Sequence, residues 1–307
     1  MIGKDLVSIA LCTYNGEKYL PAQLDTLVSQ TYTNIEIVVV DDCSTDNTYN
    51  ILEEYCKKYP QIRISKNEHN LGYVKNFEAA LKLCNGSWIA LCDQDDIWDT
   101  RKIELQVNAI DNNVLVYHDS EFISENGETM NKKMSDLMNL YSGDNPGVFL
   151  FFNCISGHTI LMKKELLNNA LPFKEGYFHD WWLAYVATNM GAVKCMPQCL
   201  VKYRQHSNND TDVLRRKQVK KQSSVNKIMR IHQWLKYCAE YPGNKYPALV
   251  NDFYEAYTIR INTYISLKLS LLLFKYRSTI FAIRKKSKIN MLNYIYQQIW
   301  GKKIKEL

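Results

Sequence analysis

The sequence predicts an α/β fold: a mostly parallel sheet with helices on both faces, followed by a helical C-terminal region. Three observations carry this. Apolar runs of strand length alternate with helix-period stretches four times between residues 6 and 98, at spacings that suit βαβ units. Most of these runs stop abruptly in polar or acidic residues, as strands do at the carboxyl edge of an open sheet. From residue 213 onward the strand–loop pattern ends and the composition turns basic. We therefore divide the chain into a catalytic-type domain, 1–212, and a basic helical region, 213–307.

The elements follow in order. Leu6 to Cys12 is the first strand, and it runs into Thr13-Tyr14-Asn15-Gly16-Glu17. A helix follows with Leu20, Leu24, Leu27 and Val28 on one face, the helical period. Ile35 to Val40 is the second strand, stopped by Asp41-Asp42-Cys43-Ser44-Thr45-Asp46. Tyr49 to Tyr59 is a second helix and Ile62-Arg63-Ile64 a short third strand. Asn70 is placed to cap the next helix, whose stripe runs Val74, Phe77, Leu81 and Cys84. Trp88 to Cys92 is the fourth strand, ending in Asp93-Gln94-Asp95-Asp96. Val114 to Tyr117 makes a further strand. Residues 124–147 are polar, with Gly, Asn and Pro, and read as a loop. Asn153 to Met162 enters another strand, and Val201 to His206 closes the pattern.

Composition bounds the function. Hydrophobic residues make up 46% and charged residues 23% of 307, which excludes a disordered chain. No uninterrupted apolar run reaches a membrane span. The first twelve residues lack the charged, apolar and small succession of a leader. Nine cysteines are scattered without a CxxC pair, so a reducing, cytoplasmic setting is expected, with no disulfide framework and no zinc site. Neither GxGxxG nor GxxxxGK[ST] occurs, which disfavours a dinucleotide fingerprint and a P-loop. Residues 1–212 hold 18 Lys and Arg against 28 Asp and Glu, a balance of −10; residues 213–307 hold 20 against 4, a balance of +16. Such a split points to two regions with different partners.

The acids after Trp88 to Cys92 are the strongest local signal. Three carboxylates within four residues repel one another unless a cation or hydrogen-bond donors compensate. Oxygen ligands of this kind suit Mg2+ or Mn2+, which leave positions for phosphate oxygens. The plainer reading is a strand followed by a helix cap at Asp96 or Asp99.

Four motifs in order, Cys12-Thr13-Tyr14-Asn15-Gly16-Glu17, Val40 to Asp46, Asn70-Leu71-Gly72 with Lys75-Asn76, and Asp93 to Asp96, resemble the inverting glycosyltransferases of family 2. The likeness covers residues 6 to about 206. Gly157-His158-Thr159 and His179-Asp180-Trp181-Trp182 bring it near the rhamnosyltransferase branch. The resemblance implies the GT-A fold, a nucleotide-sugar donor, and Mn2+ or Mg2+. Thr13, Tyr14, Asn15 and Glu17 would then face the nucleotide, with Asp41 accepting the imide N–H of a uracil or thymine. Lys75 would face the nucleotide as a point charge. Asp93 would meet the ribose or sugar, while Asp95 and His206 would hold the metal. Arg204 would touch phosphate. Gly157, His158, Trp181 and Trp182 would line the acceptor side. Asp180 matches the family's catalytic base, which takes the proton of the attacking hydroxyl; the competing reading makes it a helix N-cap.

The basic region reads as helices broken near Pro242-Gly243 and Pro247. Arg215 to Lys221 is a basic run. Tyr264 to Ile283 is apolar but interrupted by Lys268, Lys275 and Arg277, which suits a helix lying on an anionic membrane; a bundle packed on the first domain is the alternative. No nucleic-acid motif is present. The expected activity is sugar transfer, with L-rhamnose from dTDP-L-rhamnose the first donor, to a glycan or lipid-linked glycan of the cell envelope. Two rivals are a nucleotidyltransferase, whose basic triphosphate loop is missing here, and a non-catalytic glycan- or membrane-binding module.

Overall fold

The computed structural model describes residues 5–174, 176–207, 209, 214, 224–285 and 287–303. The strands are β1 (Val7–Thr13), β2 (Ile35–Asp41), β3 (Ile62–Lys66), β4 (Trp88–Cys92), β5 (Ile97–Trp98), β6 (Leu115–Ile123), β7 (Thr129–Lys133), β8 (Leu161–Lys163) and β9 (Val193–Arg204). The helices are α1 (Leu20–Val28), α2 (Thr48–Lys58), α3 (Tyr73–Leu83), α4 (Lys102–Ile110), α5 (Met134–Leu137), α6 (Leu167–Ala170), α7 (His179–Met190), α8 (Ser224–Ala239), α9 (Pro247–Asn262), α10 (Lys268–Lys275), α11 (Arg277–Ile280) and α12 (Lys288–Gln297).

One sheet runs β3-β2-β1-β4-β8-β6-β9-β5, with β7 beside β6. The first four strands pair in parallel, as their spacing predicts. The second half is mixed. β8 is antiparallel to both β4 and β6, while β6 and β9 are parallel. Register brings the informative loops to one edge. Thr13 stands opposite Asp41, and Leu11 opposite Cys92. The chain thus reverses its strand order at β1 and β4, where such sheets bind ligands.

Alternate residues of β1 feed two apolar layers, as the period of two demands. Val7, Ile9 and Leu11 join Leu20, Leu24, Leu52 and Ile103 of α1, α2 and α4 on one face. Ala10 and Cys12 join Phe77 and Leu81 of α3 and Trp182 and Leu183 of α7 on the other. The second layer also takes in Trp234 and Leu235 of α8, Phe253 and Tyr257 of α9, and Leu269 and Leu273 of α10. The described C-terminal helices therefore share the core of the sheet domain.

Several expectations need correcting. Residues 124–147 are not one loop. A turn with Gly127 at φ +85° leads back into β7, and α5 follows. α3 is capped at Gly72, not Asn70, whose Oδ1 accepts the Gly72 N–H. The stretch Tyr264 to Ile283 is split between α10 and α11, with a break at Tyr276. Among the described residues, no helix is long and apolar enough to cross a membrane. The basic run Arg215 to Lys221 lies outside the described residues.

Candidate active site

The first two loops are laced together by their own side chains. Asn15, at φ 47°, donates its N–H to Ser44 Oγ and accepts the Thr45 N–H. Glu17 accepts the Asn47 N–H, and Gly16 donates to Thr48 Oγ1. Asp41 is fully buried. Its carboxylate accepts the Thr13 hydroxyl, the Ser44 N–H and the Ser44 hydroxyl. That corrects two expectations: neither Asp41 nor the Thr13 side chain stands open to a base, because each satisfies the other. Tyr14 does stand exposed. Asp42, the second acid of the Val40 to Asp46 motif, carries the next turn by accepting the N–H groups of Leu71 and Gly72.

The third loop joins the first through an amide pair. Gln94 Oε1 accepts the Tyr14 N–H, and its Nε2 donates to the Tyr14 carbonyl. A Cβ on Gly16 would fall 2.2 Å from Gln94 Oε1, so a larger residue there would have to displace the Gln94 amide and break its pair with Tyr14. Lys75 Nζ lies 3.5 Å from Glu78 Oε2 on its own helix, with the side chain 42% exposed.

The acids divide into two groups. Asp95 Oδ2 and His206 Nε2, both named above as metal ligands, share a hydrogen bond of 2.7 Å. His206 stacks on Tyr19 at 5.0 Å. The second group is Asp93, Asp96 and His158, with ligand atoms within 4.8 Å of one another. His158, named above for the acceptor side, is buried. The 3-10 turn Gly157–Thr159 folds it inward onto Tyr203 and the acids. Asp96 is fully buried; one oxygen accepts the Arg204 N–H, and the other has no partner. Burial first, then the charges of Asp95 and Asp93, push its carboxyl well above the usual range. Lys102 lies buried beneath, 3.0 Å from the Trp98 ring centroid, its ammonium pulled down to about 7 by burial. Arg204 is tied to protein carbonyls, which corrects its assignment to phosphate: Nε donates to Asp95 O and Nη1 to Glu125 O.

The fourth component is the start of α7. Phe178 is the N-cap, so Asp180 stands inside the first turn and is not the cap. Its Oδ1 accepts a long bond from Asn153 Nδ2. Burial raises the carboxyl to about 7, against the pull of the Trp181 and Gly157 amides. Gly157 is closely approached here: a Cβ would lie 3.1 Å from His179 Nε2. Buried His179, packed 4.3 Å from Phe77, is held down near 4 by burial. Trp182 is 2% exposed and donates to the Ala170 carbonyl, so it belongs to the core and not to an acceptor surface. Trp181 is partly buried, donating to the Phe149 carbonyl and packing on Trp234.

This arrangement offers oxygen and imidazole donors for a hard cation beside a carboxyl that titrates near neutrality. Asp42, Gln94, Asp96 and Asn153 complete it. Asp42, Gln94 and Asp96 lie within motifs already singled out, though without these roles; Asn153 carried no signal of its own.

The family model described as Glycosyl transferase family 2 matches residues 8–171. The Escherichia coli protein named UDP-Glc:alpha-D-GlcNAc-diphosphoundecaprenol beta-1,3-glucosyltransferase WfgD is 32% identical over 244 residues, covering 76% of this chain and 92% of its own. The dTDP-rhamnosyl transferase RfbG of Shigella flexneri is 32% identical over 214 residues, covering 65% of this chain and 72% of its own. Among solved structures, S. aureus TarS 1-349 in complex with UDP-GlcNAc superimposes with a TM-score of 0.62 at 19% identity, covering 96% of this chain and 81% of that one. That likeness shows the GT-A fold.

Proposed function

Since the chain belongs to glycosyltransferase family 2, we propose that it is an inverting, cation-assisted transferase that moves a sugar from a pyrimidine nucleoside diphosphate to a hydroxyl of a lipid-linked glycan precursor. The observation that carries the mechanism is Asp180. It sits in the first turn of α7, close enough to feel the charge of Asp93, with its carboxyl raised to about 7. At and above that pH it accepts a proton readily, as a general base must. The base takes the proton of the acceptor hydroxyl as that oxygen attacks the sugar. Asn153 and the Gly157 amide hold the carboxylate in place.

The donor lies at the β1–β4 edge, against exposed Tyr14 and partly exposed Asp93. Both named relatives use pyrimidine nucleotides by their names, so dTDP-L-rhamnose is the first donor to test and UDP-glucose the second. Asp95 and His206 would hold Mn2+ or Mg2+: a carboxylate oxygen and an imidazole nitrogen standing side by side are donors that fit such an ion. When bound, the cation supplies positive charge opposite the leaving diphosphate. A second placement, at Asp93, Asp96 and His158, is favoured by the convergence of their ligand atoms. The acceptor approaches along Gly157 and Trp181. The reaction takes place in the cytoplasm, at the inner face of the membrane, and involves no nucleic acid.

Thermal unfolding with dTDP-L-rhamnose, UDP-glucose and GDP-mannose, each with and without Mn2+, tests this. A ligand that binds only the folded state raises the melting temperature. The pyrimidine donors should stabilise the protein with Mn2+ and barely without it, and Asp95→Ala should lose the Mn2+-dependent part. If Asp93→Ala loses it while Asp95→Ala keeps it, the cation belongs to the second group. Equal stabilisation by GDP-mannose, or by donors in EDTA, would sink the donor and cation assignments respectively.

A further inference from the structure

The C-terminal helices leave two apolar stripes facing outward. On α10 the residues at helical spacing are Leu267, Leu271 and Phe274, all exposed, with Leu271 at 68%. Leu269 and Leu273, on the opposite side of the same helix, are fully buried. α12 repeats the pattern. Ile289, Leu292 and Tyr296 are exposed, Ile289 at 78%, while Ile295 points into the core. The two helices touch through the Ser270 hydroxyl, which donates to the Ile295 carbonyl. Exposed Ile265 bridges to Trp300, whose ring lies 6.1 Å from Tyr296, so the stripes meet at one end. Isolated exposed apolar residues are ordinary, but two helical stripes joined in this way form a contiguous patch, which marks an interaction surface.

Charge says what covers it. Residues 256–305 contain eleven Lys and Arg and no Asp or Glu. Lys275, Arg277, Lys285, Lys288 and Lys303 are exposed around the stripes. Lys268 reaches a carboxylate, that of Glu255, at 3.0 Å. Arg284 and Lys288 line a cavity with Phe281, Met291 and Tyr294, so cations and apolar side chains meet at one place. An apolar ridge with a predominantly basic rim complements an anionic lipid surface: acyl chains take the ridge, headgroups the rim. An acidic protein or nucleic acid would match the rim and leave Leu271 and Ile289 in water.

We propose that the outer faces of α10 and α12 form a docking surface for an anionic phospholipid bilayer, with Leu271, Phe274, Ile289 and Leu292 inserting below the headgroups. The proposal gives the lipid-linked acceptor reading a place on the molecule, but it rests on this surface and not on that reading.

Co-sedimentation of the full chain with phosphatidylcholine vesicles, with and without phosphatidylglycerol, tests it. Binding should require phosphatidylglycerol and weaken as salt rises. The double variant Leu271→Gln/Ile289→Gln should lose binding by roughly tenfold for each side chain removed from the lipid. Lys285→Gln/Lys288→Gln should weaken binding at low salt and flatten its salt dependence. Both variants alter only exposed side chains, so melting temperature and donor hydrolysis should match wild type. Hydrolysis thus tests the transferase separately, and its failure would leave the surface untouched. Three results would overturn the proposal: full chain that ignores phosphatidylglycerol vesicles at low salt, a Leu271→Gln/Ile289→Gln variant that binds like wild type, or a wild-type dimer that this variant splits, which would assign the face to a second copy of the chain.

Discussion

Replacing Asp180 by Asn removes one proton acceptor and changes almost no volume. If Asp180 is the base, turnover should fall by roughly 100-fold or more, the usual scale for a positioned acid–base group. Donor affinity should hardly change, because the base serves the acceptor. The structure adds a stability signature. The carboxyl is raised, chiefly by burial, from 3.8 to about 7. The unfolded chain therefore loses this proton near pH 4, and the folded protein keeps it to about pH 7. Between those values the folded state binds more protons, so this group's contribution to stability falls as pH rises. Above pH 7 the accumulated cost is at most about 4 kcal/mol, less after screening by water that reaches the partly exposed residue. Asparagine never carries the charge. At pH 8 the variant should melt no lower than wild type, and higher if the burial cost is realised; at pH 4 the two should coincide. The wild-type rate should climb with pH through an apparent pKa near 7. Steady-state kinetics and melting curves at both pH values decide the matter. A variant that keeps turnover within a few-fold, or that loses stability at pH 8, would refute the assignment.

Two further substitutions probe the frame around this group. Gly157→Ala places a methyl 3.1 Å from His179 Nε2, against packed rings; it should lower turnover while costing about 1–3 kcal/mol by overpacking, read from kcat and chemical denaturation together. Trp234→Ala empties a site 1% exposed between Tyr177, Trp181, Trp182 and Tyr185. It should cost about 3–5 kcal/mol, and calorimetry should show one transition in the wild type, because this α8 residue belongs to the same core as the sheet; two separate transitions would mark an independent C-terminal unit.

The parallel half of the sheet was legible because β1, β2 and β4 are mostly apolar runs, largely buried, each closed by polar residues. β8 has three residues and β5 two, too few for a period to show. β7 was hidden because Thr129 to Lys133 is polar and mostly exposed at the sheet edge. Side-chain direction was the other blind spot. Asp41 and His158 looked like surface chemistry, but strand register turns the first inward and a 3-10 turn the second. The pairing of Asp95 with His206 was expected only from the family likeness, since 111 positions separate them. The shared core of the C-terminal helices was not legible either. A helical period shows which face is apolar, not which partner covers it.

Arg204 has a consequence for how the chain tolerates change in length. Its backbone N–H holds Asp96, its guanidinium holds the carbonyls of Asp95 and Glu125, and its planar group lies 4.9 Å from the Tyr19 ring. One side chain therefore sets the spacing of three loops that approach from different strands. His206 follows only two residues later, so its ring inherits that spacing. An insertion between Arg204 and His206, or within Ser124 to Glu128, would not simply lengthen a surface turn. It would put the imidazole out of step with Asp95, while the strands on either side kept their registers.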